Sequence, residues 1–251
     1  MTVASNHSKT PLSIPIKERL IVALDIGSAA DARKMVQTLG DAVTFYKIGL
    51  QLFTAAGPDF VRELRESGKK IFLDLKFHDI PNTVASAVGS VATLGVDMIT
   101  VHASGGAKML RAAVEAAASA GEGNIMILAV TVLTSLSDSD LHDMGIAIGG
   151  NSEQQVLRLA KIAQSAGCQG LVVSPQEVGA VRQLVGAEMA IVTPGIRSKG
   201  SMKDDQTRVA TAADSIRDGA SYLVIGRPIT NVADPKMAAE TILREMAEVI
   251  A

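Results

Sequence analysis

The segment FLDLKFHDIPNT, residues 72–83, starts like a buried strand but carries charged side chains where the strand ends. Asp74, Lys76 and Asp79 lie within it, and a helix opens directly after Pro81. A buried charge without a partner is so costly that the group shifts its pKa and becomes neutral instead. The segment therefore predicts a core strand that ends either in satisfied ion pairs or in groups that carry out chemistry.

The order of strand then helix recurs along the chain. Short aliphatic or β-branched runs predict strands at residues 20–25, 43–48, 70–76, 97–102, 125–131, 170–174, 189–193 and 221–226. Amphipathic, often Ala-rich stretches predict helices at residues 31–39, 58–66, 83–94, 107–120, 152–166, 174–184, 207–218 and 235–249. Strands that alternate with helices pair in parallel and are covered on both faces of the sheet.

Eight such units in 251 residues predict an α/β fold, a single-domain (β/α)8 TIM barrel with parallel strands. In this reading residues 1–18 form an N-terminal tail and residues 19–251 form the catalytic barrel. An open doubly wound sheet is the alternative, because the order of the strands cannot be read from the sequence. No G-x-G-x-x-G motif follows the first strand, and residues 195–200 lack the Lys-Ser/Thr of a P-loop.

The composition indicates a folded globular protein, because 47% of the residues are hydrophobic and 20% are charged. A net charge of −2 and few aromatic residues give no support for a nucleic-acid or membrane-surface partner. The single Cys168 excludes an internal disulfide and fits a reducing compartment. The chain shows no signal-peptide pattern and no apolar run of the roughly 18–20 residues that span a membrane. We expect a soluble cytoplasmic protein.

Charged residues end the first three predicted strands. Asp25 closes the first strand, Lys47 lies near the end of the second, and Asp74 and Lys76 end the third. Alternate residues of a strand face the same side, and barrel active sites lie at the C-terminal ends of the strands. We therefore expect two acids and two ammonium groups to meet there, with Lys76 charged at neutral pH. A purely structural ion-pair network is the alternative, but such networks stabilise proteins poorly, which favours a functional site.

Two further features near the third strand have simple structural explanations. Asp79 lies beyond the strand, where it would cap the helix that follows. His78 is expected to pack or hydrogen-bond locally, because the four histidines show no ligand spacing. No metal site is predicted.

The loops after the last two strands are where this fold often holds phosphate. The first, residues 193–206, is long and polar and carries Arg197 and Lys199. The second contains Gly226 and Arg227, which can direct backbone N–H groups and a guanidinium at an anion. Together the loops predict a phosphate site covered by a mobile lid.

Several motifs in order resemble the orotidine 5′-phosphate decarboxylase family, in its bacterial monofunctional form. The most specific is the D-x-K-x-x-D array of the opening segment. The others are ALD ending at residue 25, YKIG around residue 47, VHASGG at 101–106, VTVLTS at 130–135, VTPGIR at 192–197 and VIGRP at 224–228. The resemblance covers about residues 20–230.

The resemblance implies a homodimeric barrel that converts orotidine 5′-monophosphate to uridine 5′-monophosphate in pyrimidine biosynthesis, with no metal or organic cofactor. Lys76 matches the acid that protonates the ring carbon after carbon dioxide leaves, and Asp74 matches the residue beside the substrate carboxylate. Lys47 and Asp25 match residues that bind ribose hydroxyls and complete the charge array. The implied catalytic residues are Lys76, Asp74, Lys47 and Asp79.

The resemblance also implies a set of substrate-binding residues. Asp79, Ile80 and Thr83 match positions that the second subunit contributes. Those that match contacts to the pyrimidine, the phosphate or the lid are Thr134, Ser135, Pro194, Arg197, Gln206, Gly226 and Arg227.

Two other functions stay open on the sequence. A metal-dependent sugar-phosphate decarboxylase or aldolase of the same superfamily can share the D-x-K-x-x-D array. In those relatives the second strand supplies a carboxylate near the metal, whereas here Lys47 would repel the cation. A non-catalytic barrel that binds a phosphorylated metabolite would need the phosphate loops but not the charges of the third strand.

Overall fold

The computed structural model describes residues 13–120, 125–146, 150–196 and 210–250. Its strands close into a barrel in which each strand pairs with the next one along the chain. The strands are β1 Leu20–Ala23, β2 Phe45–Gly49, β3 Lys70–Phe77, β4 Met98–His102, β5 Met126–Val130, β6 Gly170–Val172, β7 Ala190–Thr193 and β8 Tyr222–Ile225. All pairs are parallel, and β8 closes on β1 with Ile21 opposite Val224. The predicted (β/α)8 barrel is confirmed, and the open sheet is excluded.

Helices connect the strands around the outside of the barrel. They are α1 Ile16–Arg19, α2 Ala29–Leu39, α3 Leu50–Glu66, α4 Pro81–Ala92, α5 Gly106–Ser119, α6 Asp138–Asp143, α7 Ser152–Ser165, α8 Val178–Val185, α9 Ala212–Arg217, α10 Arg227–Thr230 and α11 Pro235–Ile250. Among these described helices, none combines the length and the apolar character that crossing a bilayer requires.

The predicted helices are found, with two clear differences. The helix predicted at residues 207–218 begins at Ala212 in α9; Ala210 forms a β-bridge with Ile196, and residues 207–209 lie outside the described residues.

The second difference is in α3. This helix begins at Leu50, eight residues before the predicted start at Pro58. Its two parts meet at Gly57, whose φ of +68° is non-helical and suits glycine. Pro58 then starts the second part, where its missing N–H costs nothing. The predicted helix at residues 58–66 is therefore the part after the kink, and the part before it, which starts at Leu50, was not predicted.

Successive strand residues face opposite sides, so the barrel has an inner and an outer core. Phe45 and Phe72 belong to a small cluster inside the barrel, whereas Tyr46 belongs to the larger cluster under the helices. Lys47 and Asp74 come two residues after the two phenylalanines on the same strands, at the C-terminal end. The alternation that fills the interior with apolar side chains therefore also points charged groups into its mouth.

At the opposite end of the barrel, Arg182 of α8 ties the starts of β7 and β8 together. Its guanidinium donates hydrogen bonds to the carbonyl oxygens of Gly186, Met189 and Gly219 and to Ser221 Oγ. Burial lowers the pKa of Arg182 from its ordinary value, yet no carboxylate partner is found for it among the described residues. The partly buried cation is thus stabilised mainly by carbonyl dipoles.

We expect Arg182→Met to lower the free energy of unfolding by about 2–3 kcal/mol, because several buried carbonyl groups lose a charged donor. Urea unfolding monitored by circular dichroism measures the change. Arg62→Met is the control, because the ion pair found for Arg62 among the described residues is an exposed one, with Asp59. This substitution should change the free energy of unfolding by less than about 0.5 kcal/mol. Equal effects of the two substitutions would contradict this role.

Candidate active site

A cavity of about 550 Å³ opens at the C-terminal ends of the strands. Asp25, Lys47, Asp74 and Lys76 line its charged side, which β1, β2 and β3 provide. Much of the remaining wall is apolar and comes from residues on other strands, including Val130, Val172 and Val224. The cavity therefore sets ionic groups against a surface that excludes water.

The charged residues form a chain of alternating sign. Lys47 Nζ lies 2.8 Å from Asp25 Oδ1 and 3.7 Å from Asp74 Oδ2. Lys76 Nζ lies 2.8 Å from Asp74 Oδ1 and 2.9 Å from Asp74 Oδ2. The order Asp25–Lys47–Asp74–Lys76 gives each inner group two partners of opposite charge.

Of the two carboxylates among these four charged residues, Asp74 is the more enclosed: 13% of its side chain is exposed, against 58% for Asp25. Burial acts to raise the pKa of Asp74. The ammonium groups of Lys47 and Lys76, with hydrogen bonds from Lys76 and Thr100, outweigh burial and hold that pKa below its usual value. Asp74 is therefore an anion at neutral pH, shared by two cations.

The backbone at Lys76 departs from a regular strand. Its φ is +51°, and among the described residues it is the one non-glycine residue with a positive φ. The pairing of β3 with β4 also shifts register between Leu73 and Phe77. A non-glycine residue in this region costs about 1–3 kcal/mol and persists where its surroundings enforce it. Asp74 and Lys76 do face each other, as expected. The regular strand alternation from which this was predicted, however, is not present at Lys76.

Gly49 provides space for the ammonium group of Lys47. A Cβ atom built on Gly49 would lie 2.8 Å from Lys47 Nζ and 3.2 Å from Asp25 Oδ1. The first distance is shorter than real Cβ contacts and the second is tight, so a methyl group here would push the end of the Lys47 side chain aside. The glycine two residues after Lys47 therefore leaves its side-chain space to the Lys47–Asp25 ion pair.

The other predicted site residues of this subunit are partly accounted for. Thr134, Pro194, Gly226 and Arg227 line the cavity. Ser135 is exposed and, as a described residue, is not among those that line it. Arg197, Lys199 and Gln206, on which the predicted lid and part of the phosphate site depend, lie outside the described residues.

Asp79, Ile80 and Thr83 lie on the protein surface and do not line the described cavity of their own subunit. The alternative role of Asp79 as the cap of α4 is excluded, because the residue at the cap position is Ile80 and no side chain caps this helix end. Asp79 Oδ1 instead accepts a hydrogen bond from the Ile80 backbone N–H at 2.6 Å. Ile80 itself is 66% exposed, which is unusual for a large aliphatic side chain.

Two residues of β4 near the charge chain were not predicted as part of the site. Thr100 is buried beside Asp74, and His102 is half-buried with its ring centroid 5.4 Å from that of His78. Burial lowers the pKa of His102, and His78 and Lys76 lower it further, so its ring is neutral at neutral pH. Thr100 and His102 follow Met98 at alternate positions, a signal that could have placed them on the inner face of the barrel.

The described residues contain no group of three or more His, Cys, Asp and Glu that could hold a metal ion.

The amino-acid sequence matches a known family over most of its length. Residues 18–242 match the model of the family described as "Orotidine 5′-phosphate decarboxylase / HUMPS family". The chain is 49% identical over 234 residues to the orotidine 5′-phosphate decarboxylase of Moorella thermoacetica, with 92% of each chain covered. It is 48% identical over 241 residues to that of Bradyrhizobium diazoefficiens, covering 96% of this chain and 99% of the relative. A crystal structure of orotidine 5′-phosphate decarboxylase from Lactobacillus acidophilus matches with a TM-score of 0.82 at 40% identity, over 90% of this chain and 98% of that one.

We expect Gly49→Ala to displace the Lys47 ammonium from both carboxylates while the barrel stays folded. The pKa of Asp74 should then rise, because one of the cations that lowers it has moved away. A crystal structure and a carbon-13 NMR titration of the Asp74 carboxyl group measure the two effects. Gly89→Ala in α4 is the control, since nothing lies within 4 Å of its added Cβ. Lys47 remaining bonded to Asp25 in Gly49→Ala would refute the role given to Gly49.

Proposed function

Because the chain belongs to the orotidine 5′-phosphate decarboxylase / HUMPS family, we propose that it is a carboxy-lyase that converts orotidine 5′-monophosphate to uridine 5′-monophosphate. The single observation that carries the proposal is the Lys76 ammonium held by the buried Asp74 carboxylate inside the cavity. A protein that only binds a phosphorylated metabolite has no use for such a pair, because its desolvation brings little stability.

The chemistry needs a cation beside one ring carbon. When the bond to the carboxylate breaks, carbon dioxide leaves and the electron pair of that bond remains on the ring carbon. A fixed ammonium stabilises the developing negative charge and then transfers a proton to it, which forms the C–H bond of the product. Lys76 is the residue that we assign to both tasks.

Asp74 and Lys47 keep that cation in place. The two Asp74 oxygens lie 2.8 and 2.9 Å from Lys76 Nζ, and these two contacts limit the movement of the Lys76 side chain. The Lys47 ammonium lies between the Asp25 and Asp74 carboxylates. Together with the exposed Asp25, it is suited to bind the ribose hydroxyls. The apolar wall lowers the local dielectric constant, which strengthens each of these interactions.

Substrate phosphate would bind near Gly226 and Arg227, next to the Asp25 end of the charge chain, since a Cβ atom built on Gly226 would lie 3.8 Å from Asp25 Oδ2. Gly226 and Arg227 line the cavity where β8 passes into α10, and Arg227 is exposed to solvent. Arg197 and Gln206 complete this site in the proposal. Binding energy from a group remote from the reacting carbon can then be used to order the charged residues around it.

A metal-dependent sugar-phosphate decarboxylase or aldolase fits the site less well. A divalent cation would have to approach Asp25 and Asp74, but the Lys47 ammonium lies 2.8 and 3.7 Å from their oxygens. Lys47 would repel the metal ion from the space between Asp25 and Asp74, and Lys76 would repel it from the other side of Asp74. We therefore propose a reaction that needs neither metal nor organic cofactor.

We further propose a cytoplasmic homodimer in which each subunit completes the site of the other. Asp79, Ile80 and Thr83 lie together at the start of α4, exposed on the subunit that carries them. An exposed aliphatic side chain beside an acid suits a surface that another copy of the chain covers. Asp79 would then lie near the charge chain of the partner subunit.

Lys76→Ala should lower kcat by about 10⁴-fold or more while the protein stays folded, because the site loses both charge stabilisation and its proton donor. The absorbance change of orotidine 5′-monophosphate measures turnover. Lys70→Ala is the control, since Lys70 lies on the same strand but at the opposite end, paired with Glu18. Wild-type activity should also survive exhaustive chelation. A folded, fully active Lys76→Ala protein, or loss of wild-type activity on chelation, would contradict the mechanism.

Mixing two inactive variants tests the contribution of the second subunit. Lys76→Ala and Asp79→Ala, unfolded and refolded together, should recover about a quarter of wild-type activity, because half of the dimers are mixed and each has one complete site. The matched control is Lys76→Ala mixed with Asp74→Ala, which removes two residues of the same site and should recover nothing. No recovery in the first mixture would place Asp79 in the site of its own subunit, or outside any site.

A further inference from the structure

Thr100 is a buried polar residue of β4 that contacts both members of the Asp74–Lys76 pair. The residue is 0% exposed. Its Oγ1 atom lies 3.0 Å from Asp74 Oδ1 and 2.9 Å from the backbone nitrogen of Lys76. A threonine hydroxyl has one hydrogen to donate and two lone pairs to accept with. Since a backbone N–H can only donate, the hydroxyl accepts from Lys76 and donates to the Asp74 carboxylate.

The position of Thr100 coincides with the irregularity between β3 and β4. Leu73 pairs with Ile99, and the next pair is Phe77 with Val101. Three residues of β3, from Asp74 to Lys76, therefore stand opposite Thr100 alone. An excess of residues on one strand bends it and redirects its side chains. The Thr100 hydroxyl binds the amide of the one residue in this stretch that has a left-handed backbone.

We propose that Thr100 is a positioning residue for decarboxylation: its hydroxyl holds the left-handed backbone of Lys76 and orients the Asp74 carboxylate that fixes the Lys76 ammonium. Its effect on catalysis rests on the proposed function, whereas its effect on the geometry of Lys76 does not. Thr100 would not touch the reacting carbon, and it acts through the two residues that it binds.

Thr100→Val keeps the shape of the side chain and removes both hydrogen bonds. We expect kcat to fall by about 10- to 100-fold with little change in KM, because the interaction matters most when charge develops on the substrate. Thr100→Ser keeps the hydroxyl and should restore most of the lost kcat. Should Thr100→Val fail to fold, Thr100→Ala, which adds no volume, provides the same comparison.

Thr44→Val is the matched control for the change of threonine to valine. Thr44 immediately precedes β2 at the other end of the barrel, and its buried Oγ1 has no hydrogen-bond partner among the described residues. Removing this hydroxyl leaves no group without its partner, so kcat, KM and the pH profile should all stay as in the wild type.

The pH profile separates positioning from a merely structural role. The Asp74 carboxylate is surrounded by Lys47, Lys76 and the Thr100 hydroxyl, with His102 nearby, and the bond from Thr100 is one of the causes that lower the Asp74 pKa. Without that bond the pKa of Asp74 rises, so the acidic limb of the kcat profile should move to higher pH in Thr100→Val. A structural role would lower the melting temperature and leave this limb where it is.

The possible outcomes distinguish this inference from the proposed function. If the wild type decarboxylates orotidine 5′-monophosphate and folded Thr100→Val keeps its kcat and its acidic limb, the inference is overturned and the function stands. If the wild type has no such activity, the function fails, and a crystal structure of Thr100→Val decides the inference. Lys76 leaving its left-handed conformation, or its Nζ moving away from Asp74, would support the inference, and unchanged geometry would overturn it.

Discussion

The interaction on which the site depends is the sharing of one buried carboxylate by two ammonium groups. Asp74 would be costly to bury alone, and so would Lys47 or Lys76. Together, the two ammonium groups hold the Asp74 pKa below its ordinary value, in a cavity with an apolar wall. The geometry is also directional, because both Asp74 oxygens accept from Lys76, while Lys47 approaches Oδ2 and the Thr100 hydroxyl donates to Oδ1. A pre-arranged cation of this kind needs little rearrangement when an anion forms beside it.

The barrel supports this interaction through small local departures from regular structure. Gly49 leaves its side-chain space to the Lys47 ammonium, and the positive φ of Lys76 turns its side chain toward Asp74. Neither feature stabilises the fold, since glycine weakens a strand and a left-handed lysine is strained. Both lie within a few residues of the charge chain, while the opposite end of the barrel is regular and firmly hydrogen-bonded by Arg182. Strain is thus concentrated where chemistry is expected.

Much of the fold could be predicted, because strands covered on both faces appear as continuous aliphatic runs. Helices α1, α6 and α10 were missed, since four to six residues are too few to show a helical period. The four charged residues were found because each ends a predicted strand. The irregular backbone at Lys76 could not be predicted, because LDLK is also what a regular alternating strand would show, and the residue that binds it, Thr100, comes from the next strand.

The alternation of signs along Asp25, Lys47, Asp74 and Lys76 has a consequence for long-range attraction. The two positive and two negative charges of these four residues sum to zero. Together they therefore exert a strong field only at close range and little force on a distant anion. In the proposed function, the diffusional capture of a multiply charged nucleotide would therefore depend on cations at the rim of the cavity, where Arg227 is exposed. Dissolved salt weakens the attraction of exposed charges far more than that of buried pairs. Ionic strength should thus govern how often the protein meets its ligand and leave the events inside the barrel almost untouched.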